Sequence, residues 1–114
     1  MKLAFDDMMA AADAASVLLK ALASPHRLMI VCRLAEGEQT VGALAATLNV
    51  RESLVSQHLA VLRRERIVSA RREGQSMYYA VSSPRARAVV ETIAYQYCAL
   101  DAPCDLALDQ AAER

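Results

Sequence analysis

The stretch Val41–Arg64, VGALAATLNVRESLVSQHLAVLRR, constrains the fold more than any other part of this sequence. Leu44 and Leu48 stand four apart, the spacing of one helix face, and Asn49 readily ends a helix in a left-handed conformation. Val55, Leu59 and Leu62 then recur at i, i+4 and i+7, the buried stripe of a second helix. Arg51 precedes that helix, and Glu52, Ser53, Ser56, Gln57, Arg63 and Arg64 fall on its other faces. A helix-turn-helix needs this arrangement: an apolar face that holds the second helix on the domain, and polar side chains facing base edges in the major groove. Alone, the pattern equally fits a solvated amphipathic helix, so the decision rests on the remainder of the chain.

Net charge is zero over the 114 residues, which looks wrong for a nucleic-acid binder until it is divided along the sequence. Residues 51–87 carry eight Arg against Glu52, Glu65 and Glu73, whereas residues 88–114 carry Arg114 against five acids. The positive charge is concentrated on the segment that would face DNA, and all of it is Arg, suited to bidentate phosphate or guanine contacts. The length suits one domain, placed at residues 1–104, with an acidic tail at 105–114 expected to be mobile. Ala supplies 23 residues, Phe one and Trp none, so the core is thin for its apolar count and dimerisation is expected to supply the missing burial. The start MKLAFDDMMA puts two Asp where the apolar core of a signal peptide would run, and no apolar run is long enough to span a bilayer. A soluble cytoplasmic protein without membrane partners is expected.

Before the central motif, residues 6–22 read as a helix with Met9, Ala12, Ser16, Leu19 and Ala23 near one face and Val17, Leu18 and Leu22 widening it. Ser24-Pro25 restarts the chain as cap and first helical position, and the second helix, His26 to Ala35, carries Leu28, Val31, Cys32 and Ala35 on one face until Gly37 ends it. His26 reads as a local packing or capping residue. After the motif the period changes: Ile67–Arg72 and Met77–Val81 are β-prone runs with Glu73-Gly74-Gln75-Ser76 as the turn between them. This is a hairpin with Arg71 and Arg72 at its tip, placed to reach phosphates or the minor groove beside the second motif helix. Ser83-Pro84 opens a last helix from Arg85 to about Leu100, buried through Val89, Val90, Ile93, Ala94 and Tyr97, with Pro103 closing it. The fold class is therefore mainly α with a β-hairpin wing, a winged helix-turn-helix.

The strings SPHRLMI and SQHLAVLR, followed by a wing containing MYYAV, resemble the ArsR/SmtB family of dimeric winged-helix repressors over roughly residues 10–100. The resemblance implies dimerisation through the first and last helices, and a pseudo-palindromic double-stranded operator read by two recognition helices about 34 Å apart. It leaves Ser53, Ser56 and Gln57 as base-edge candidates, with Arg63, Arg71 and Arg72 beside them and His58 either facing the backbone or packing at the rim. Where the family usually has a cap residue followed by Gln, this chain has Arg51 and Glu52. Arg51 can hold a phosphate, and Glu52 can accept from a cytosine amino group, so the operator sequence does not carry over from relatives.

Family members differ mainly in the ligand that releases DNA. The family's thiol-rich metal site needs cysteines where this chain has Thr40 and Gly42, and its zinc site needs His and paired carboxylates where the last helix offers Glu91 alone. Neither site is expected, nor any cofactor. Three cysteines remain, with no CxxC pair. Cys32 on the second helix and Cys98 near the end of the last one resemble the placement in the dithiol SqrR/BigR/HlyU subgroup. That resemblance implies reactive-sulfur sensing, in which one thiolate takes sulfane sulfur and its partner closes a di- or polysulfide bridge. Two alternatives stay open: arsenite or a soft metal held by Cys98 and Cys104, or cysteines that are structural only. Ser56 and His58, two apart on a helix, point to different faces and cannot form a nucleophile–base pair, and the three Gly are isolated, so an enzyme is not expected. A thiol oxidoreductase would leave the Arg-rich motif and wing without a purpose, whereas a protein-only interaction module is compatible with the dimer helices and would show no operator-dependent band shift.

Overall fold

The computed structural model describes residues 4–98, in the order α1 (Phe5–Leu22), α2 (Pro25–Ala35), β1 (Gln39–Thr40), α3 (Val41–Leu48), α4 (Glu52–Arg64), β2 (Val68–Glu73), β3 (Ser76–Val81) and α5 (Pro84–Tyr97). This is the expected winged helix-turn-helix. The end of the last helix toward Leu100, Pro103, Cys104 and the tail at 105–114 lie outside the described residues.

Capping explains where the helices begin. Ser24 accepts from the Arg27 amide, Thr40 from that of Ala43 and Ser83 from that of Ala86, at 3.3, 3.1 and 3.1 Å. Pro occupies the first turn of α2 and of α5, where its missing N–H costs nothing. Two helix ends share one device. At Asn49 (φ 58°) the Val50 amide bonds Ala45 O and the Asn49 amide bonds Ala46 O; at Arg66 (φ 63°) Ile67 bonds Leu62 O and Arg66 bonds Arg63 O. Each is a left-handed Schellman closure. The second also packs buried Ile67 toward buried Leu62, so the turn into the wing is fixed by the core.

The core joins α2 (Ile30, Val31, Leu34), α3 (Leu44, Ala45), α4 (Val55, Leu59, Leu62), Ile67 and Val68, and α5 (Ala86, Val90). Each large aliphatic side chain here stabilises the fold by about 1.5–3 kcal/mol relative to exposure. From α1 only Ala21 and Leu22 are buried. Leu18 is half-buried against the core, and the outer part of the predicted apolar face is open: Met9 is 64% and Leu19 54% exposed, joined by Phe5 at 74%. On α5, Ala86 and Val90 form the buried contact and Val89, Ile93 and Ala94 are half-buried, while Tyr97, expected inside, is 51% exposed. The sequence pattern for these two helices marks surfaces that a single chain does not cover.

The sheet has the order β1-β3-β2, all antiparallel, with Gln39 opposite Tyr79 and Val68 opposite Val81. The third strand, β1, was not expected; at two residues it is too short to carry a period. The hairpin closes through Gly74-Gln75 alone, one residue tighter on each side than expected, with Gly74 in the left-handed region at φ 63°.

Candidate DNA-reading face and thiol pair

Helix α4 turns Val55, Leu59 and Leu62 into the core, which leaves Ser53, Ser56 and Gln57 exposed on the other side. Ser53, Gln57 and Arg64 fall on one stripe at helical spacing, with Arg63 exposed to one side of it. Arg51 is exposed just before the first turn, and its carbonyl accepts from the Leu54 and Val55 amides at 3.1 and 3.2 Å. The Glu52 carboxylate leans back over the first turn of α3: a Cβ on Gly42 would sit 3.4 Å from Glu52 Oε2.

Two expected contact residues, His58 and Arg71, are held by other side chains, and the two wing arginines sit lower on the wing than expected. His58 packs at the rim. Its ring stacks on His26 at 5.4 Å between centroids, and its Nδ1 lies 3.3 Å from Arg27 Nη1. Burial first, then the charge of Arg27 and the proximity of His26, hold the His58 imidazole below its usual pKa. Arg71 and Arg72 sit on β2 opposite Tyr78 and Met77, on the arm of the wing instead of its tip. Arg71 is also occupied. Its Nε and Nη2 donate to the two Glu38 oxygens, each at 2.8 Å, its Nη1 donates to Glu73 at 2.8 Å, and its guanidinium lies 4.9 Å over the Tyr78 ring. The Arg71 hydrogen bonds hold the Glu38 carboxyl below the usual carboxylate range. Arg72 is exposed on the same arm. The Glu38–Arg71 brace was not read from the sequence, because the partners are 33 residues apart with no periodic relation.

Cys32 and Cys98 are both free thiols, Cys32 half-buried on α2 and Cys98 exposed at the C-cap of α5, its amide bonded to Ala94 O at 2.7 Å. Helices α2 and α5 pack together, and Arg87 Nη1 on α5 donates to Ala35 O at the end of α2 at 2.9 Å. Burial pushes the Cys32 thiol up from its ordinary pKa, and the charges of Cys98 and then Glu36 add to the rise. Cys32 also lines a cleft of about 200 Å³ with Met29, Arg33, Glu36, Thr47 and Leu48. Among the described residues no three His, Cys, Asp or Glu side chains are grouped to hold a metal ion. No single described helix is long and apolar enough to cross a membrane.

The family model for bacterial regulatory proteins of the arsR family matches residues 24–70, from the α2 cap to the first half of the wing. The transcriptional activator HlyU of Vibrio cholerae is 44% identical over 84 residues, covering 74% of this chain and 78% of HlyU. The crystal structure of the transcriptional repressor BigR from Xylella fastidiosa superposes with a TM-score of 0.80 at 36% identity, covering 86% of this chain and all of BigR. A homodimeric winged helix-turn-helix DNA-binding domain from Mycobacterium bovis superposes with a TM-score of 0.67 at 31% identity, over 82% of this chain and 86% of that domain. The chain belongs to the ArsR family, on the side of HlyU and BigR, and is a DNA-binding transcriptional regulator and not an enzyme.

Proposed function

We propose that this regulator is a cytoplasmic homodimeric repressor whose hold on a double-stranded operator is switched by Cys32 and Cys98, with reactive sulfur as the inducer. Two copies join through the uncovered faces of α1 and α5, and the homodimeric Mycobacterium bovis domain supports a dimer. The two α4 helices then enter successive major grooves about one duplex turn, roughly 34 Å, apart. Ser53, Ser56 and Gln57 read base edges, Glu52 accepts from a cytosine amino group where it swings out, and Arg51, Arg63 and Arg72 hold phosphates. Arg71 acts from within the wing, positioning it.

The observation that supports the switch is the packing of α2 against α5, which puts a half-buried Cys32 and an exposed Cys98, both free thiols, on neighbouring helices. The exposed Cys98 thiolate attacks the sulfur next to the end of a polysulfide, the S–S bond on its far side breaks, and the shortened polysulfide leaves with the electron pair, so that Cys98 carries two added sulfurs. A Cys98 chain bearing two added sulfurs is then attacked at its middle sulfur by Cys32, which loses its proton. A trisulfide bridge forms and hydrogen sulfide departs. The sulfane sulfur is the oxidant and is reduced to sulfide, so no further oxidant is needed. A bridge between α2 and α5 re-poses α4 against the dimer helices, and a few kcal/mol of difference between two poses suffices to release DNA.

The test is intact-mass and peptide mapping of the reduced protein after treatment with polysulfide, peroxide or arsenite, paired with operator band shifts. A Cys32–Cys98 bridge with added sulfur, formed with polysulfide and accompanied by loss of the band shift, is the expected result. Arsenite held through Cys98 and Cys104, with Cys32 unmodified, would replace this reading by a metalloid-responsive one. Release of DNA by none of the three would leave the cysteines structural.

A further inference from the structure

Lys20 in the last turn of α1, Arg27 in the first turn of α2 and Arg64 at the end of α4 converge on one cleft of about 230 Å³, lined otherwise by Val17, Ala21, Val61 and Glu65. Three cations face one carboxylate, and that carboxylate stands 3.7 Å from Arg64 in an exposed, weak pairing. The remaining ion pairs among the described residues involve Arg33, Arg71 and Arg87, not Lys20 or Arg27. Arg27 is fixed in place: its Nε donates to Ala21 O at 2.6 Å and its Nη1 bonds His58, which leaves the rest of its planar fork to an anion.

The cleft also lies in the right place. Arg64 shares the exposed stripe of α4 with Ser53 and Gln57, so the cleft flanks the DNA-reading face at the C-terminal end of that helix. At about 1.5 Å per residue the helix is roughly 20 Å long, whereas the major groove is about 12 Å wide, so a helix seated in the groove brings its end out against a phosphate chain.

We propose that this cleft seats a backbone phosphate of the operator, clamped by Lys20, Arg27 and Arg64. One phosphate then ties α1, α2 and α4 together, and the helix that carries Cys32 has its first turn in direct contact with DNA. The occupant carries no sequence information, so the clamp raises affinity for all duplexes alike.

The measurement is the salt dependence of binding of the full chain to its operator and to an unrelated duplex, by fluorescence anisotropy. Lys20→Gln with Arg64→Gln is expected to lower the slope of log K against log salt by about 0.9, one phosphate contact, and to weaken both duplexes by a similar factor. Arg33→Gln, a cation on the far end of α2, is expected to leave the slope unchanged. Glu65→Gln is expected to raise affinity two- to threefold, a gain that misfolding cannot mimic. An unchanged slope in the double variant, with Arg72→Gln still lowering it, would remove the cleft from the interface while leaving DNA binding intact. A wild-type protein that shifts no duplex would overturn the clamp together with the DNA-binding assignment.

Discussion

Arg27 and His58 meet at 3.3 Å between Nη1 and Nδ1, and this contact ties the first turn of α2 to the middle of the recognition helix α4. Arg27 has only donors, so His58 must accept through an unprotonated Nδ1. The other groups facing the ring are His26, stacked on it, and no carboxylate contributes to its titration. Folding holds the His58 pKa below its ordinary value, so the unfolded chain takes up its proton first as pH falls. The contribution of this contact is therefore complete above the unfolded pKa of about 6.5 and is lost as pH falls from there toward the folded value. We expect the thermal midpoint of the wild type to fall between about pH 7.5 and 5.5, and that of His58→Gln to fall less over the same window. Equal slopes in the two proteins would show that the contact is not what titrates.

Cys32 is raised first by burial and second by Cys98. Replacing Cys98 by Ser removes the second cause and keeps the first. In a Cys104→Ser background, Cys98→Ser should shift the pH midpoint of Cys32 alkylation downward, yet leave it above that of an unburied thiol. Iodoacetamide labelling followed by peptide mass measurement reads this directly. A midpoint that does not move would mean that the two thiols are electrostatically independent.

Arg71 and Arg72 are neighbours in sequence with different duties. Glu38 and Glu73 already neutralise Arg71, whereas Arg72 is exposed on the outer arm of the wing. Arg72→Gln should lower the salt slope of operator binding by about 0.9, the value of one released phosphate contact. Arg71→Gln should leave the slope nearly unchanged and lower affinity through a loosened wing, and Glu38→Gln should act in the same direction as Arg71→Gln. If Arg71→Gln reduces the slope as much as Arg72→Gln does, the brace opens on DNA.

Most of the frame could be read from residues whose local chemistry is unambiguous. Ser24-Pro25 and Ser83-Pro84 announce helix starts, Asn49 a left-handed stop, and Val55, Leu59 and Leu62 a buried stripe, because each acts within one or two turns of chain. Arg66 was not legible. It takes the same left-handed closure as Asn49, but the reason is the seating of Ile67 beside Leu62, a tertiary cause that overrides an unfavourable residue type. The candidate site divides in the same way. Ser53, Ser56 and Gln57 follow from helical spacing, whereas the fates of His58 and Arg71 were decided by Arg27 and Glu38, partners 31 and 33 residues away. Periodicity assigns a side chain to a face but does not say what a distant segment brings to that face.

The apolar stripe of α1 shows how a pattern can be right and its partner absent from the chain. Met9 and Leu19 lie near one face, with Val17 widening it, and all three are exposed, as are Tyr95 and Tyr97 near the end of α5. Exposed apolar patches of this extent mark an interaction site. If the occupant is a second copy, a charge on α1 should separate the copies without unfolding either, because Leu19 contributes little to the core of its own chain. We expect Leu19→Glu to sediment as a monomer at micromolar concentration where the wild type is a dimer. Its operator affinity should then fall by two orders of magnitude or more, since each half-site is bound without the other. Helix content by circular dichroism should change little. A variant that remains dimeric would move the interface off α1, and one that is monomeric with wild-type operator affinity would show that a single copy is the DNA-binding unit.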